Sequence, residues 1–255
     1  MKRVVFNQKG GVGKSSITCN LAAIAASDGL RTLVVDLDAQ GNSSHYLLGD
    51  AFEDALPDVA DYFKQCLNAR MTKNEPMDFV HSTDFENLYV IPASPELTDM
   101  QAKLESKHKI YKLRDLLNKL EDQFDWIFID TAPALNFFTL SALIAVDTCL
   151  IPFDCDAFAR NSLYMLEDII DEIREDHNES LKVEGVIVNQ FQARANLPNQ
   201  IVEEIINDGQ PVFPVYLSSS VKMRESHENF MPLIYLAPTH PLTQQYGELY
   251  KLLKR

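Results

Sequence analysis

Eleven residues near the start, Phe6-Asn7-Gln8-Lys9-Gly10-Gly11-Val12-Gly13-Lys14-Ser15-Ser16, restrict what this chain can fold into more than any other stretch. They follow the β-type run Arg3-Val4-Val5-Phe6 and lead into Ile17–Ile24, which reads as a helix. Strand, glycine-rich loop, Lys-Ser and helix, in that order, are the context of a phosphate-binding loop. Consecutive backbone N–H groups over Gly10, Gly11, Val12 and Gly13 form an anion nest, and the helix N-terminus at Ser15 and Ser16 adds its positive dipole end. Lys14 is placed for the β- and γ-phosphates of a nucleotide, and the Ser15 hydroxyl for Mg2+. In the pattern G-x-x-x-x-G-K-[ST] the first glycine is replaced by Gln8, and a second lysine, Lys9, follows it.

Beyond the loop, apolar runs alternate with helical periodicity. This predicts an α/β fold, a mostly parallel twisted sheet with helices on both faces, in one domain over 1–255. Strands are expected at 3–6, 32–37, 88–92, 125–130, 148–153 and 183–189, with a short one at 212–217. Helices are expected at 14–28, 58–70, 94–121 with a break, 136–146, 158–176, 197–208, 220–228 and from Pro241. Residues 45–86 hold nine acidic side chains against three basic ones and read as a variable acidic surface insertion. The 94–121 stretch interleaves Lys103, Lys107, Lys109, Lys112, Arg114 and Lys119 with acids, either a salt-laced exposed helix or a basic docking surface.

Three carboxylates fall at strand C-termini: Asp36, Asp38 just beyond it, and Asp130. In open parallel sheets that edge is where ligands bind, so all three should converge with the loop on one nucleotide. Asp130 fits a carboxylate that holds Mg2+; Asp36 and Asp38 each fit a water-positioning base or a support behind the metal.

Other chemistries find little support. Cys19, Cys66, Cys149 and Cys155 are scattered without CxxC spacing, which predicts reduced thiols, and the six histidines show no metal-binding spacing. No apolar run reaches membrane-span length, and Met1-Lys2-Arg3 runs straight into a strand, so a cytoplasmic protein is expected. A net charge of −14 does not suit a nucleic-acid binder.

Jointly the motifs are specific. Lys9–Ser15, Asp36-Leu37-Asp38-Ala39-Gln40-Gly41-Asn42, Asp130-Thr131-Ala132-Pro133, Val188-Asn189-Gln190-Phe191 and Val221-Lys222-Met223 resemble, in order, the motifs of the ParA/MinD family of ATPases with a deviant P-loop. The resemblance spans almost the whole chain and is weakest over 45–86. It implies Mg-ATP as ligand, a nucleotide-sandwich homodimer formed on ATP binding, and slow ATP hydrolysis. Lys9 matches the signature lysine that crosses the dimer interface to the partner's phosphates, in the manner of an arginine finger. Asp38 matches the carboxylate that orients the attacking water, and Asn189 the residue that recognises adenine.

Within the family the chain looks like the short ParA form, which implies partition of a plasmid or chromosome, or cargo positioning on the bacterial nucleoid, with a ParB-like activating partner. No cysteine pair is present for an intersubunit iron–sulfur cluster. The tail Glu248–Arg255 does not read as a membrane anchor; Leu249, Leu252 and Leu253 are expected to pack on the body. Nonspecific DNA binding, also implied, maps onto Arg194 and Lys222, with Arg224 nearby, but Ser218-Ser219-Ser220 replaces a flanking Pro-Arg-Asn motif. Residues 190–255 hold six basic and six acidic side chains, so two alternatives stay open: an ATP-switched positioning protein for a polar, flagellar or chemotaxis partner without DNA, and a biosynthetic P-loop amide ligase.

Overall fold

Apolar runs closed by turn residues become the strands of one sheet. In the computed structural model, which describes residues 1–68, 73–156 and 159–254, β1 (Lys2–Val5), β2 (Thr32–Asp36), β4 (Leu88–Ile91), β5 (Trp126–Asp130), β6 (Thr148–Asp154) and β7 (Lys182–Asn189) run parallel. A two-residue strand, β3 (His81–Ser82), pairs antiparallel with β4 at one edge. The order is β3-β4-β2-β5-β1-β6-β7. Its register sets Val5 opposite Asp130 and Asp36 opposite Asp130, so three adjacent strands end together beside the phosphate loop.

Strand side chains alternate between two cores, as the pleat requires. Val4, Leu33, Val35, Ile127 and Ile129 face α3 (Val59–Leu67), α4 (Leu97–Ser106), α5 (Lys112–Leu120), α6 (Phe137–Ala145), α7 (Ala159–Asp176) and α8 (Asn196–Asn207). Val5, Val34, Val90, Phe128 and Leu150 face α1 (Lys14–Ser27), α2 (Asn42–Leu48), α10 (Leu233–Leu236) and α11 (Pro241–Leu253), joined by Met223 of α9 (Val221–Glu228). α1 buries every residue from Ile17 to Ala26, whereas α5 buries only the stripe Leu113, Leu116, Leu117 and Leu120. In α11, Leu249 and Leu253 are buried and Leu252 is half-buried, so the tail packs on the body.

Three stretches depart from the expectation. The 94–121 helix starts at Leu97 rather than at Ser94, while its expected break is a turn in which His108 has φ 51°. Val212–Leu217 forms no named strand, only isolated bridges from Val212 to Val186 and from Ser218 to Phe191, because Pro211 and Pro214 cannot donate to a ladder. Within 45–86, α3 and the following 3-10 turn Pro76–Phe79 send Val59, Phe63 and Phe79 fully into the core, so this stretch is part scaffold and not only an acidic surface. The expected end of that helix at 69–70, and the expected start of another at 158, lie outside the described residues.

Candidate active site

Gly11 and Gly13 adopt φ 76° and 91°, the left-handed conformations that let the loop between β1 and α1 curl its N–H groups inward. At Gly13 there is no alternative: an added Cβ would lie 2.3 Å from the Asn189 side-chain nitrogen. Lys14 is buried, and its ammonium donates to the Lys9 carbonyl at 2.9 Å, closing the loop around its own side chain. Burial lowers the Lys14 pKa, and the charges of Asp130 and Asp38 oppose that shift.

The loop forms one wall of a cavity of about 430 Å3, which Gly10, Lys14, Ser15, Ser16, Asp38 and Thr131 help to line. Asp38 is held at its edge by the Gln40 N–H, which donates to Oδ1 at 3.0 Å. Asp36 and Asp130 are fully buried behind this wall. Asp130 accepts from the Ser43 hydroxyl at 2.7 Å and also from Ser15. Asp36 accepts from the Ser44 N–H and hydroxyl, each at 2.8 Å, and from the Asp38 N–H. Burial first, and then a neighbouring carboxylate, holds both groups above the usual carboxylate range.

That donor set fits a magnesium ion. The described residues contain no cluster of three or more His, Cys, Asp or Glu that would cage a metal alone. Mg2+ keeps several waters and is held by one or two protein oxygens plus nucleotide phosphates; Ser15 and Asp38 line the cavity beside the phosphate nest, and Asp130 lies behind the wall, hydrogen-bonded to Ser15. Asp36 stands behind them, engaged by Ser44, and does not line the cavity.

Lys9 takes a different direction. Its ammonium contacts Asp156 and lies 3.6 Å from Asp154, both at the end of β6, and these carboxylates hold its pKa up. The Lys9 side chain therefore does not line its own cavity. Asn189, at the end of β7, donates to the Val12 carbonyl at 2.9 Å, and Gln190 donates to the Gly11 carbonyl at 2.7 Å, so both brace the loop.

The opposite wall was not legible in the sequence. His45 and Tyr46 of α2 meet His227 and Phe230 from the end of α9, with His227 Nε2 3.0 Å from the Ser16 hydroxyl. The contact spans more than two hundred residues and follows no spacing rule. The candidate DNA residues lie elsewhere. Arg194 is exposed in the loop before α8, Lys222 is paired with Glu225, and Arg224 is exposed on α9. The Phe191–Ser218 bridge joins the two segments that carry Arg194 and Lys222.

A parallel sheet with a phosphate nest after β1 and carboxylates at the ends of β2 and β5 defines a P-loop nucleoside triphosphatase. The family model described as an AAA domain matches residues 2–183. A chromosome partitioning protein ParA from Myxococcus xanthus is 36% identical over 232 residues, covering 90% of this chain and 79% of the relative. The sporulation initiation inhibitor protein Soj of Bacillus subtilis is 32% identical over 250 residues, covering 97% and 95%. Cobyrinic acid a,c-diamide synthase from Mycobacterium smegmatis, solved with a bound ATP analog and magnesium, superimposes with a TM-score of 0.83 at 24% identity, covering 100% of this chain and 94% of that one. The chain belongs to the ParA/MinD-type family of P-loop ATPases. It is accordingly an ATPase.

Proposed function

We propose that this protein is an ATP-gated dimeric switch that positions DNA, or another cargo, by a slow cycle of hydrolysis. The observation that carries the reading is the direction of Lys9: a lysine of the phosphate loop lies outside its own cavity, held by Asp154 and Asp156. A cation so placed serves a second subunit's phosphates better than its own. The ParA and Soj names of the relatives support partitioning as the task.

In this reading each subunit binds nucleotide through the N–H groups of Gly10 to Ser16 and through Lys14, and Asn189 contributes to the adenine side. When bound, Mg2+ neutralises charge between the phosphates; Ser15 and Asp130 hold it, with Asp36 supporting them. Asp38 orients the attacking water and accepts its proton, and the partner subunit's matching lysine balances charge developing on the transferred phosphoryl. Arg194, Lys222 and Arg224 contact DNA phosphates nonspecifically, the dimer doubling their number. A ParB-like protein accelerates turnover. Within the bacterial cytoplasm the dimer resides on the nucleoid; among the described residues no helix is long and apolar enough to cross a membrane.

Sedimentation with and without ATP tests the switch: dimer in ATP, monomer in ADP, and monomer in both for Lys9→Ala. A Lys9→Ala protein that still dimerises overturns it. One observation favours a second reading, positioning without DNA: Lys222 is engaged by Glu225 in a chain of net charge −14. Retention on duplex DNA at low salt, lost in Arg194→Ala/Lys222→Ala, separates the two.

A further inference from the structure

Cations gather at one place on this acidic chain. Residues 103–119 carry six basic side chains against two acidic ones, and the fold arranges the five lysines among them with Lys64 and Lys73 around the C-terminal end of α3. Two clefts flank that end. The first, about 370 Å3, lies between α3, the Pro76–Phe79 turn and α5. Buried Tyr62, Phe79 and Leu116 make its floor, and Lys73, Lys109, Lys112 and Lys119 surround it. The second, about 560 Å3, sets Leu67 and Met100 beneath Lys64, Lys103 and Lys107. Lys107 Nζ donates to the Leu67 carbonyl at 3.2 Å, between the two.

Some of this charge is already matched inside the molecule. Lys112 pairs with Asp115 at 2.6 Å, and Lys64 pairs with Asp61 and Glu96. Lys73, Lys103, Lys109 and Lys119 form no ion pair among the described residues. The Cys66 thiol opens into the first cleft; burial pushes its pKa up, and contact with Tyr62 and the charges of Lys112, Lys109 and Lys73 pull it back. Ammonium groups from two separate segments thus converge on one apolar-floored hollow.

We propose that these clefts dock an acidic segment of a protein partner, an extended stretch in which glutamate or aspartate residues flank an aliphatic or aromatic side chain. The floor takes the apolar side chain, and the unpaired lysines take the carboxylates. Charge complementarity selects this occupant over a nucleic acid. Glu75, Asp99 and Asp115 are interleaved along the clefts, and a peptide can place its carboxylates between them, whereas a continuous phosphate backbone must pass over them. None of these residues lines the nucleotide cavity, so the surface is distinct from the switch proposed above.

The test uses the full chain and a short fluorescein-labelled peptide of glutamates around a central Phe-Leu pair, beside labelled duplex DNA. The peptide is expected to bind with salt-sensitive affinity and to slow iodoacetamide alkylation of Cys66 severalfold. Binding should fall about tenfold in Lys109→Glu/Lys119→Glu and by less in Lys109→Gln/Lys119→Gln, with basal ATP turnover unchanged. Absence of peptide binding at low salt, equal binding by the Glu variant, or an unprotected Cys66 overturns the proposal. So does retention of the duplex in the peptide's place, lost in the same variant.

Discussion

Asn189, the last residue of β7, donates its side-chain amide to the carbonyl of Val12 in the phosphate loop, 2.9 Å away and 177 residues earlier in the chain. The same nitrogen occupies the space that a Cβ on Gly13 would need. One edge strand thereby fixes the shape of a loop that begins two strands away in the sheet.

Removing that brace should loosen the nest. In Asn189→Ala the buried Val12 carbonyl loses its partner, an expected cost of about 1–3 kcal/mol. Gly13→Ala adds backbone strain of roughly 1–3 kcal/mol to the clash with Asn189. Urea unfolding reads the stability loss, and ATP titration should show weakened binding in both variants. An Asn189→Ala protein with unchanged stability would mean the brace is dispensable.

The Lys9–Asp156 contact would compete, within one subunit, with the dimer proposed above. Asp154→Asn/Asp156→Asn releases Lys9, and ATP-dependent self-association is expected to strengthen. Lys9→Ala should retain ATP binding and lose association. Lys14→Ala, which removes a buried cation, should weaken ATP binding by about 100-fold or more. Sedimentation and nucleotide titration separate these outcomes, and equal effects from Lys9→Ala and Lys14→Ala would contradict the division of labour.

Arg3 is buried at 1% exposure, doubly bonded to Glu184 at 2.8 and 2.9 Å, stacked 4.1 Å from the centre of the Trp126 ring, and bonded to the Leu253 carbonyl. Arg3→Ala leaves the Glu184 carboxylate with only the Thr148 hydroxyl as partner and empties the space over Trp126, an expected cost of about 3 kcal/mol. A double-mutant cycle with Glu184→Ala should recover part of that loss in urea unfolding.

Cys155 has its thiol pushed from an ordinary value of 9.0 up to about 12, by burial and then by Asp154 and Asp156 on either side. The folded pKa lies above the unfolded one, so this group's stabilising contribution is intact below pH 9.0 and is lost as pH rises toward 12. At pH 8 its thiolate fraction should be about a thousandfold below that of the unfolded chain. Alkylation followed by peptide mass spectrometry, in buffer and in urea, measures the contrast.

Much of this was legible in the linear chain. The loop, Lys14, Asp38 and Asp130 carry local signatures: glycines at special φ values and carboxylates at the ends of apolar runs. The destination of the Lys9 side chain was not, because Asp154 and Asp156 come near it only once β6 has paired with β1. The wall of His45, Tyr46, His227 and Phe230 has the same cause, since it depends on α9 returning across α1. The 212–217 run misled because apolar residues suggested a ladder that Pro211 and Pro214 interrupt. The acidity of 45–86 concealed Phe63 and Phe79, whose burial shows only in three dimensions.

Helix α1, buried from Ile17 to Ala26 between the sheet and α11, has no free face on which to slide. The phosphate nest at its head is therefore a stationary reference point, and nucleotide state can be announced only by what surrounds it. Two places beside it reach solvent: Gln40, in a turn whose Asp38 and Gly41 are buried, and the loop after β5, where Leu135 stands 45% exposed.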